Sequence, residues 1–274
     1  MQNNLILINE FKKIIWQHYA TNGRFFDWRG VDDPYKVFIS EVMLQQTQTA
    51  RVAIKYPEFI NRFPHFLALA KAPLKDVLFE WQGLGYNRRG MYVQQAAQII
   101  MQKYDGILPN DPEMLDALPG IGAATAASIC AFAFNRPTVF IETNIRAVFI
   151  YYFFRGREKV HDKELMPFIE TTVDQDNPRE WYYALMDHGV FLKKNIPNPS
   201  RKSAHHTKQS KFEGSDRQIR GLILKMLTSA PEPLSPDQLI CMIGKEQNKV
   251  MKILNQMIQE QFIQNDDLKL SIKE

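Results

Sequence analysis

The chain has 274 residues, 45% of them hydrophobic and 23% charged, with a net charge of +4, enough for one large or two modest domains of an ordinary globular protein. No window approaches the roughly eighteen uninterrupted apolar residues of a transmembrane helix. The start, MQNNLILINEFKK, lacks the basic opening, long apolar core and cleavage site of a signal peptide, so a cytoplasmic protein is expected.

Residues 5 to 20 carry Leu5, Ile8, Phe11, Ile14, Ile15 and Tyr19 at helical spacing, which predicts an amphipathic helix. A loop, TNGRFFDWRGVDDPYK, follows. The next helix is predicted from Val37 to about Ile54, and on it Glu41 and Gln45 share a face one turn apart. Two shorter helices come next, punctuated by Pro57, Pro64 and Pro73. GLGYNRRG reads as a turn into a helix from Met91 to Tyr104, and Pro109 and Asp111 open another.

Leu118 to Arg146 is the most informative stretch. It opens on Leu-Pro-Gly-Ile-Gly, continues as a small-residue helix from Ala123 to Phe134, and closes on Glu142, Thr143 and Asn144. Gly120 and Gly122 permit backbone angles closed to other residues. Amides at the start of a helix favour a phosphate, although most turns of this kind are ordinary connections. Ile145 to Phe154, Lys163 to Val173 and WYYALMDHGVFL, ending near Lys193, read as further helices. No period-2 strand stands out in the first 195 residues, so the fold is mainly α.

From Asn195 to Asp216 the chain is rich in Pro, Ser and Lys and reads as a linker. Between Lys193 and Arg220 eight Lys or Arg stand against Glu213 and Asp216; the stretch suits phosphate contacts, or equally a solvated linker. His205 and His206, with no Cys pair nearby, read as linker polarity and not as metal ligands. RQIRGLILKMLTSA, SPDQLICMIG (capped by Ser235) and KEQNKVMKILNQMIQEQF read as three helices. IQNDDLKLSIKE reads as a hairpin turning at Asn265–Asp267. A winged-helix-like unit is expected, serving DNA or another protein. Cys130 and Cys241 read as two buried reduced thiols.

Two stretches carry a resemblance. LPGIG followed by AATAASI resembles the helix–hairpin–helix of the endonuclease III superfamily of DNA glycosylases. DPYKVFISEVMLQQTQ, with FDWRG before it, is similar to the adenine-mismatch (MutY-type) members. The resemblance covers roughly residues 5 to 195. It implies that Glu41 is the general acid that protonates the purine being excised. Gln45 and Gln46 would fill the gap left by the extruded base, with Arg29 in the base pocket and Tyr86 and Asn87 as wedge candidates. The hairpin, through Leu118, Gly120, Gly122 and Ala123, would grip the DNA backbone, with a monovalent ion under its carbonyls as an option. Arg88 and Arg89 would contact phosphate or lie in a solvated turn.

The chain also departs from that family. The catalytic aspartate position holds Glu142, with Asn144 in place; one methylene moves a carboxylate by about 1.5 Å, and a misplacement of that order can cost on the order of 100-fold in rate. Ala124 stands where bifunctional members carry a lysine nucleophile, so base removal without strand cleavage is expected. KKNIPNPSRKSAHH follows ALMDHGVFL where the cluster cysteines belong. A four-iron cluster takes four thiolates, so no iron–sulfur cluster and no other cofactor is expected. The nucleotide-hydrolase-like domain that reads 8-oxoguanine in the family is replaced by the winged-helix-like unit.

The expectation is therefore a two-lobed helix–hairpin–helix glycosylase fold. Residues 1–21 with 135–195 form one lobe and 22–134 the other, with a basic linker at 196–215 and the winged-helix-like unit at 216–274. A monomeric, monofunctional glycosylase would act on double-stranded DNA carrying a mispaired or damaged base, adenine first. The rivals are a protein that recognises distorted DNA without cutting it, and a glycosylase for thymine or uracil opposite guanine.

Overall fold

The computed structural model describes residues 2–207 and 211–273, with residues 2–6 as backbone only. Residues 208–210 of the expected linker and the Leu5 side chain lie outside the described residues. The chain is mainly α-helical, and none of its described helices is long and apolar enough to cross a membrane. It divides into two compact units: Met1–Glu41, Pro109–Ala117 and Ile121–Lys208 form one, and Val42–Leu108, Leu118–Gly120 and Gln209–Glu274 the other.

In the first unit α1 (Gln2–Asn22) buries Phe11 and Ile15. The Phe11 ring lies 5.3 Å from Phe149 of α9 (Thr143–Phe153) and 6.0 Å from Trp181 of α11 (Pro178–Asn195). These edge and tilted contacts join three helices over one apolar core. Asp111 caps the short α7 (Pro112–Asp116). α8 (Ala123–Phe134) ends at Asn135 in the left-handed conformation, φ 52°, as a C-terminal stop favours. α10 is Asp162–Thr172. After α11 a short 3₁₀ turn at Pro199–Lys202 leads to Ser203, which bridges Val160; the Val160 amide donates to Lys202 O and the Ala204 amide to Val160 O, both at 2.9 Å.

The second unit holds α3 (Thr49–Arg62), α4 (Phe66–Lys71), α5 (Leu74–Glu80), α6 (Arg88–Lys103) and the C-terminal α12 (Asp216–Ser229), α13 (Pro236–Ile243) and α14 (Gln247–Gln259). Strands β1 (Ile263–Asp266) and β2 (Lys269–Ile272) pair antiparallel, with Ile263 opposite Ile272, and Leu270 also bridges Leu234. The C-terminal helices share a core with α5 and α6 of the same unit: Leu78 and Met91 cluster with Ile219, Ile223, Leu224 and Leu254.

Four details differ from the expectations. The single helix from Val37 to Ile54 is two, α2 (Pro34–Leu44) and α3, because Gln46 takes φ 53°, which no α-helix can include. Pro57 lies inside α3, where burial of Val52, Tyr56 and Phe59 on one face outweighs the lost hydrogen bond. The β-hairpin turns at Asp267 and Leu268, both at positive φ. Cys130 is buried but Cys241 is exposed, on the outer face of α13.

Candidate active site

Glu41 lies on α2, whose Val37, Phe38 and Ile39 are buried. Its Oε2 accepts a hydrogen bond from Ser128 Oγ at 2.6 Å. Ser128 is itself buried on α8, next to Ala126 and Ala127. The small side chains leave the hydroxyl room to reach the carboxyl; Thr125 O, at 3.0 Å, is the alternative acceptor for its one proton. Burial pushes the Glu41 carboxyl up to about 7; the Ser128 hydrogen bond opposes that rise, the Glu142 charge adds to it, and Arg29 opposes it. A carboxyl with its pKa near neutrality holds a proton for part of the time at working pH and can give it up.

Glu142 is the N-cap of α9. Its Oε1 accepts from the amides of Asn144 (2.8 Å) and Ile145 (2.9 Å), and its Oε2 from Asn144 Nδ2 (3.2 Å). The carboxylate therefore sits on the positive end of a helix, where negative charge is favoured. Asn144 Oδ1 in turn accepts from Lys193 Nζ at 2.8 Å. Burial lowers the Lys193 ammonium, with Glu142 opposing. α11 approaches this corner closely at Gly189, where an added Cβ would stand 2.5 Å from Asn144 O.

Arg29 is locked by Asp187. Its Nη1 donates to Asp187 Oδ2 and its Nη2 to Oδ1, both at 2.8 Å, and Arg24 Nε reaches Oδ1 at 2.7 Å. Burial acts to raise the Asp187 carboxyl, but the two arginines more than reverse it and hold it below its ordinary value. The Arg29 guanidinium also lies 4.4 Å from the Tyr183 ring centroid. Its positive charge acts on the Glu41 carboxyl.

Glu41, Glu142, Asn144 and Arg29 all belong to the first unit; Gln45, Gln46, Tyr86, Arg88, Arg89 and Gly120 belong to the second. Gln45 does not share a helical face with Glu41, because α2 stops at Leu44. From the turn, Gln45 Nε2 donates to Gly120 O at 3.1 Å. Gln46 and Tyr86 are exposed residues at turn tips, with φ 53° and 47°. Gly120 takes φ 75°, and an added Cβ would meet Tyr92 at 2.9 Å. Gly122, by contrast, has φ −111° with open space around it, so the expected need for glycine holds only at Gly120. Leu118 is buried, while Ala123 and Ala124 open α8 in exposed positions.

Arg89 corrects both options offered for it. It is buried, and its Nη1 donates to Val42 O (2.8 Å) and Met43 O (2.9 Å). Its Nη2 reaches Thr47 Oγ1 (2.8 Å), Leu84 O (3.2 Å) and Gly85 O (3.0 Å). Burial lowers its pKa to about 10, so it stays charged at neutrality. The guanidinium gathers the orphan carbonyls of two turns. Arg88 is half-exposed and pairs with Glu260 at 2.7 Å.

Residues 39–170 match the family described as HhH-GPD superfamily base excision DNA repair protein. The chain is similar to the adenine DNA glycosylase of Buchnera aphidicola subsp. Baizongia pistaciae, 38% identical over 178 residues that cover 65% of this chain and 50% of that protein. It is also similar to the adenine DNA glycosylase of Mycobacterium tuberculosis, 28% identical over 255 residues covering 85% and 82%. The solved structure of a thermostable thymine-DNA glycosylase shares the fold, with a TM-score of 0.64 and 24% identity over 72% of this chain and 92% of that one. The chain spans half the length of the Buchnera relative. These matches make residues 39–170 similar to the HhH-GPD superfamily of base excision DNA repair proteins. Both named sequence relatives are adenine DNA glycosylases.

Ser128, Asp187 and Lys193 were not among the sequence candidates. Ser128 reads as one more small packing residue, Asp187 only as a letter of the ALMDHG motif, and Lys193 as a helix end. Only a pairing of distant segments reveals their partners.

Proposed function

We propose that the chain is a monofunctional DNA N-glycosylase that removes adenine from mismatches with guanine or 8-oxoguanine. The single observation that carries this reading is the partly buried Glu41 carboxyl, hydrogen-bonded to Ser128 and raised to about 7. Glu41 gives its proton to a ring nitrogen of the base. The N-glycosidic bond breaks with both electrons going to the base, and positive charge develops on the sugar. Glu142, held on the α9 amides, stabilises that charge. Water then adds to the sugar carbon and returns a proton to Glu41, leaving an abasic site and the free base. Two carboxylates with unlike environments divide the labour as they do in glycosidases. The base must leave the stack to be reached, and Gln45, Gln46 and Tyr86 are the residues we assign to the space it leaves. The names of the Buchnera and Mycobacterium relatives support adenine as the base.

Ala124, where a lysine nucleophile would stand, supports hydrolysis without strand cleavage. The backbone bonds between Val160, Lys202 and Ala204 support a fold closed after α11 by packing and not by an iron–sulfur cluster. Any monovalent ion at the hairpin would share Gly120 O with Gln45. The three C-terminal helices, the β-hairpin and the Leu234–Leu270 bridge support a winged-helix reading of residues 216–274. We take the protein to act as a monomer in the cytoplasm.

A second reading, a protein that recognises distorted DNA without cutting it, is favoured by one observation: both Glu142 oxygens are already engaged by Asn144 and Ile145. Single-turnover assays on duplexes with adenine opposite 8-oxoguanine or guanine, and thymine or uracil opposite guanine, separate the readings. Strand breaks that appear only after alkali, on the adenine duplexes, support the glycosylase. Tight binding without excision, with activity gained by Glu142→Asp, supports the second reading.

A further inference from the structure

In the second unit two cavities share four lining residues. The first, about 400 Å³, is lined by Gln45, Gln46, Tyr86, Asn87, Arg217 and Arg220 among others. The second, about 570 Å³, shares Gln46, Tyr86, Asn87 and Arg217 and adds Arg51 and Lys225. Gln46 and Tyr86 are held at positive φ, a conformation that costs a non-glycine residue about 1–3 kcal/mol and gathers at functional sites. Tyr86 leaves 36% of its surface open.

Arg217 comes from the C-terminal module. Its Nη1 donates to Tyr86 Oη at 3.4 Å, and its guanidinium lies 6.0 Å from the ring centroid. Arg217 stands in the first turn of α12, which Ser215 caps and which Ile219 and Ile223 anchor in a core shared with Leu78 and Met91. The arginine is therefore positioned by the same framework that holds the Tyr86 turn. Arg88 and Arg220, which line the first cavity, both pair with Glu260.

A space of that size with an exposed aromatic face, amide groups at its edge and a guanidinium matches an unstacked nucleobase. The fork of an arginine matches two adjacent acceptors, and among the four bases only guanine offers two on its major-groove edge, O6 and N7. We infer that Arg217 is a specificity-determining residue that reads the base facing the excised one, and that guanine is its ligand. The inference rests on the proposed glycosylase reading, in which Gln46 and Tyr86 occupy the space the excised base has left. 8-Oxoguanine carries a proton on N7, so it offers this contact one acceptor fewer.

The test is equilibrium binding of the full chain, at one fixed salt concentration, to duplexes carrying a tetrahydrofuran abasic analogue opposite guanine, 8-oxoguanine, cytosine or thymine. Wild type is compared with Arg217→Ala and Arg217→Lys, each shown by thermal melting to be folded. We expect wild type to prefer guanine over cytosine by roughly 10- to 100-fold, with 8-oxoguanine between them. Arg217→Ala should bring the four duplexes together, and Arg217→Lys should keep much of the overall affinity but lose the preference, because a lysine lacks the fork. A wild type with no preference, or an equal loss by Arg217→Ala on all four duplexes, overturns the inference. The two hypotheses fail separately. Preference lost in Arg217→Ala without any base excision would remove the glycosylase reading alone, and excision with a preference indifferent to Arg217 would remove this inference alone.

Discussion

The Ser128 hydroxyl donates to Glu41 Oε2 at 2.6 Å, joining α8 to the carboxyl on α2. The bond favours the ionised form of an acid that burial otherwise drives toward the protonated form. Ser128 thus trims the Glu41 pKa to a value at which both protonation states are populated near neutrality.

Ser128→Ala should accordingly raise the Glu41 pKa. The alkaline limb of the single-turnover excision profile should move to higher pH, and the folded state should lose about 1 kcal/mol for one net hydrogen bond. A limb that moves to lower pH would contradict this account of the contact.

Glu41 itself should make the fold less stable as pH rises. Its folded pKa, about 7, lies above its ordinary value of 4.5, so between those values the folded chain binds more protons than the unfolded one. The slope of stability with pH is then negative across that window. Its contribution is intact below 4.5 and lost as pH rises through about 7. Glu41→Gln should be more stable than wild type at pH 8, by up to about 3 kcal/mol, with the difference vanishing near pH 4.5. Urea unfolding at the two pH values measures it, and parallel stability curves would refute it.

The fold and the site were legible in the sequence to different depths. α8 runs from Ala123 to Phe134 as expected, because Gly122 and Asn135 mark its two ends chemically. The break after Leu44 was not legible: Gln45-Gln46-Thr47 contains neither glycine nor proline, and the positive φ of Gln46 is imposed by tertiary structure. Glu41 and Glu142 could be named from motifs, but the Ser128 bond joins residues 87 apart in sequence. Arg89 misled for a similar reason, since its five acceptors come from residues 42–47 and 84–85. An arginine in a glycine-rich turn looks exposed until the carbonyls around it are seen.

The two roles of Glu142 can be separated. Glu142→Gln keeps an oxygen for the amides of Asn144 and Ile145, so it should unfold within about 0.5 kcal/mol of wild type, while Glu142→Ala should lose about 1 kcal/mol with the cap. Both lack the negative charge, and both should lose excision by on the order of 100-fold. Glu142→Asp, a preferred cap residue, should keep full stability. Equal excision by wild type and Glu142→Gln would remove Glu142 from the chemistry.

Arg89 should behave as a structural residue. Arg89→Ala strands several buried acceptors and should cost about 3 kcal/mol in urea unfolding. Arg89→Lys should bind DNA with an unchanged dependence on salt, whereas loss of one phosphate contact would reduce the slope of log K against log salt by about 0.9. A reduced slope would return Arg89 to the DNA interface.

The most direct test of the central claim is the pH dependence of single-turnover adenine excision, with alkali development, by wild type and Glu41→Gln. The account predicts that wild type removes adenine, that the rate falls as pH rises through about 7, and that Glu41→Gln is slower by roughly 100-fold or more below that pH, with the gap narrowing above it. A wild-type rate indifferent to pH across that range, or undiminished excision by Glu41→Gln, would contradict it.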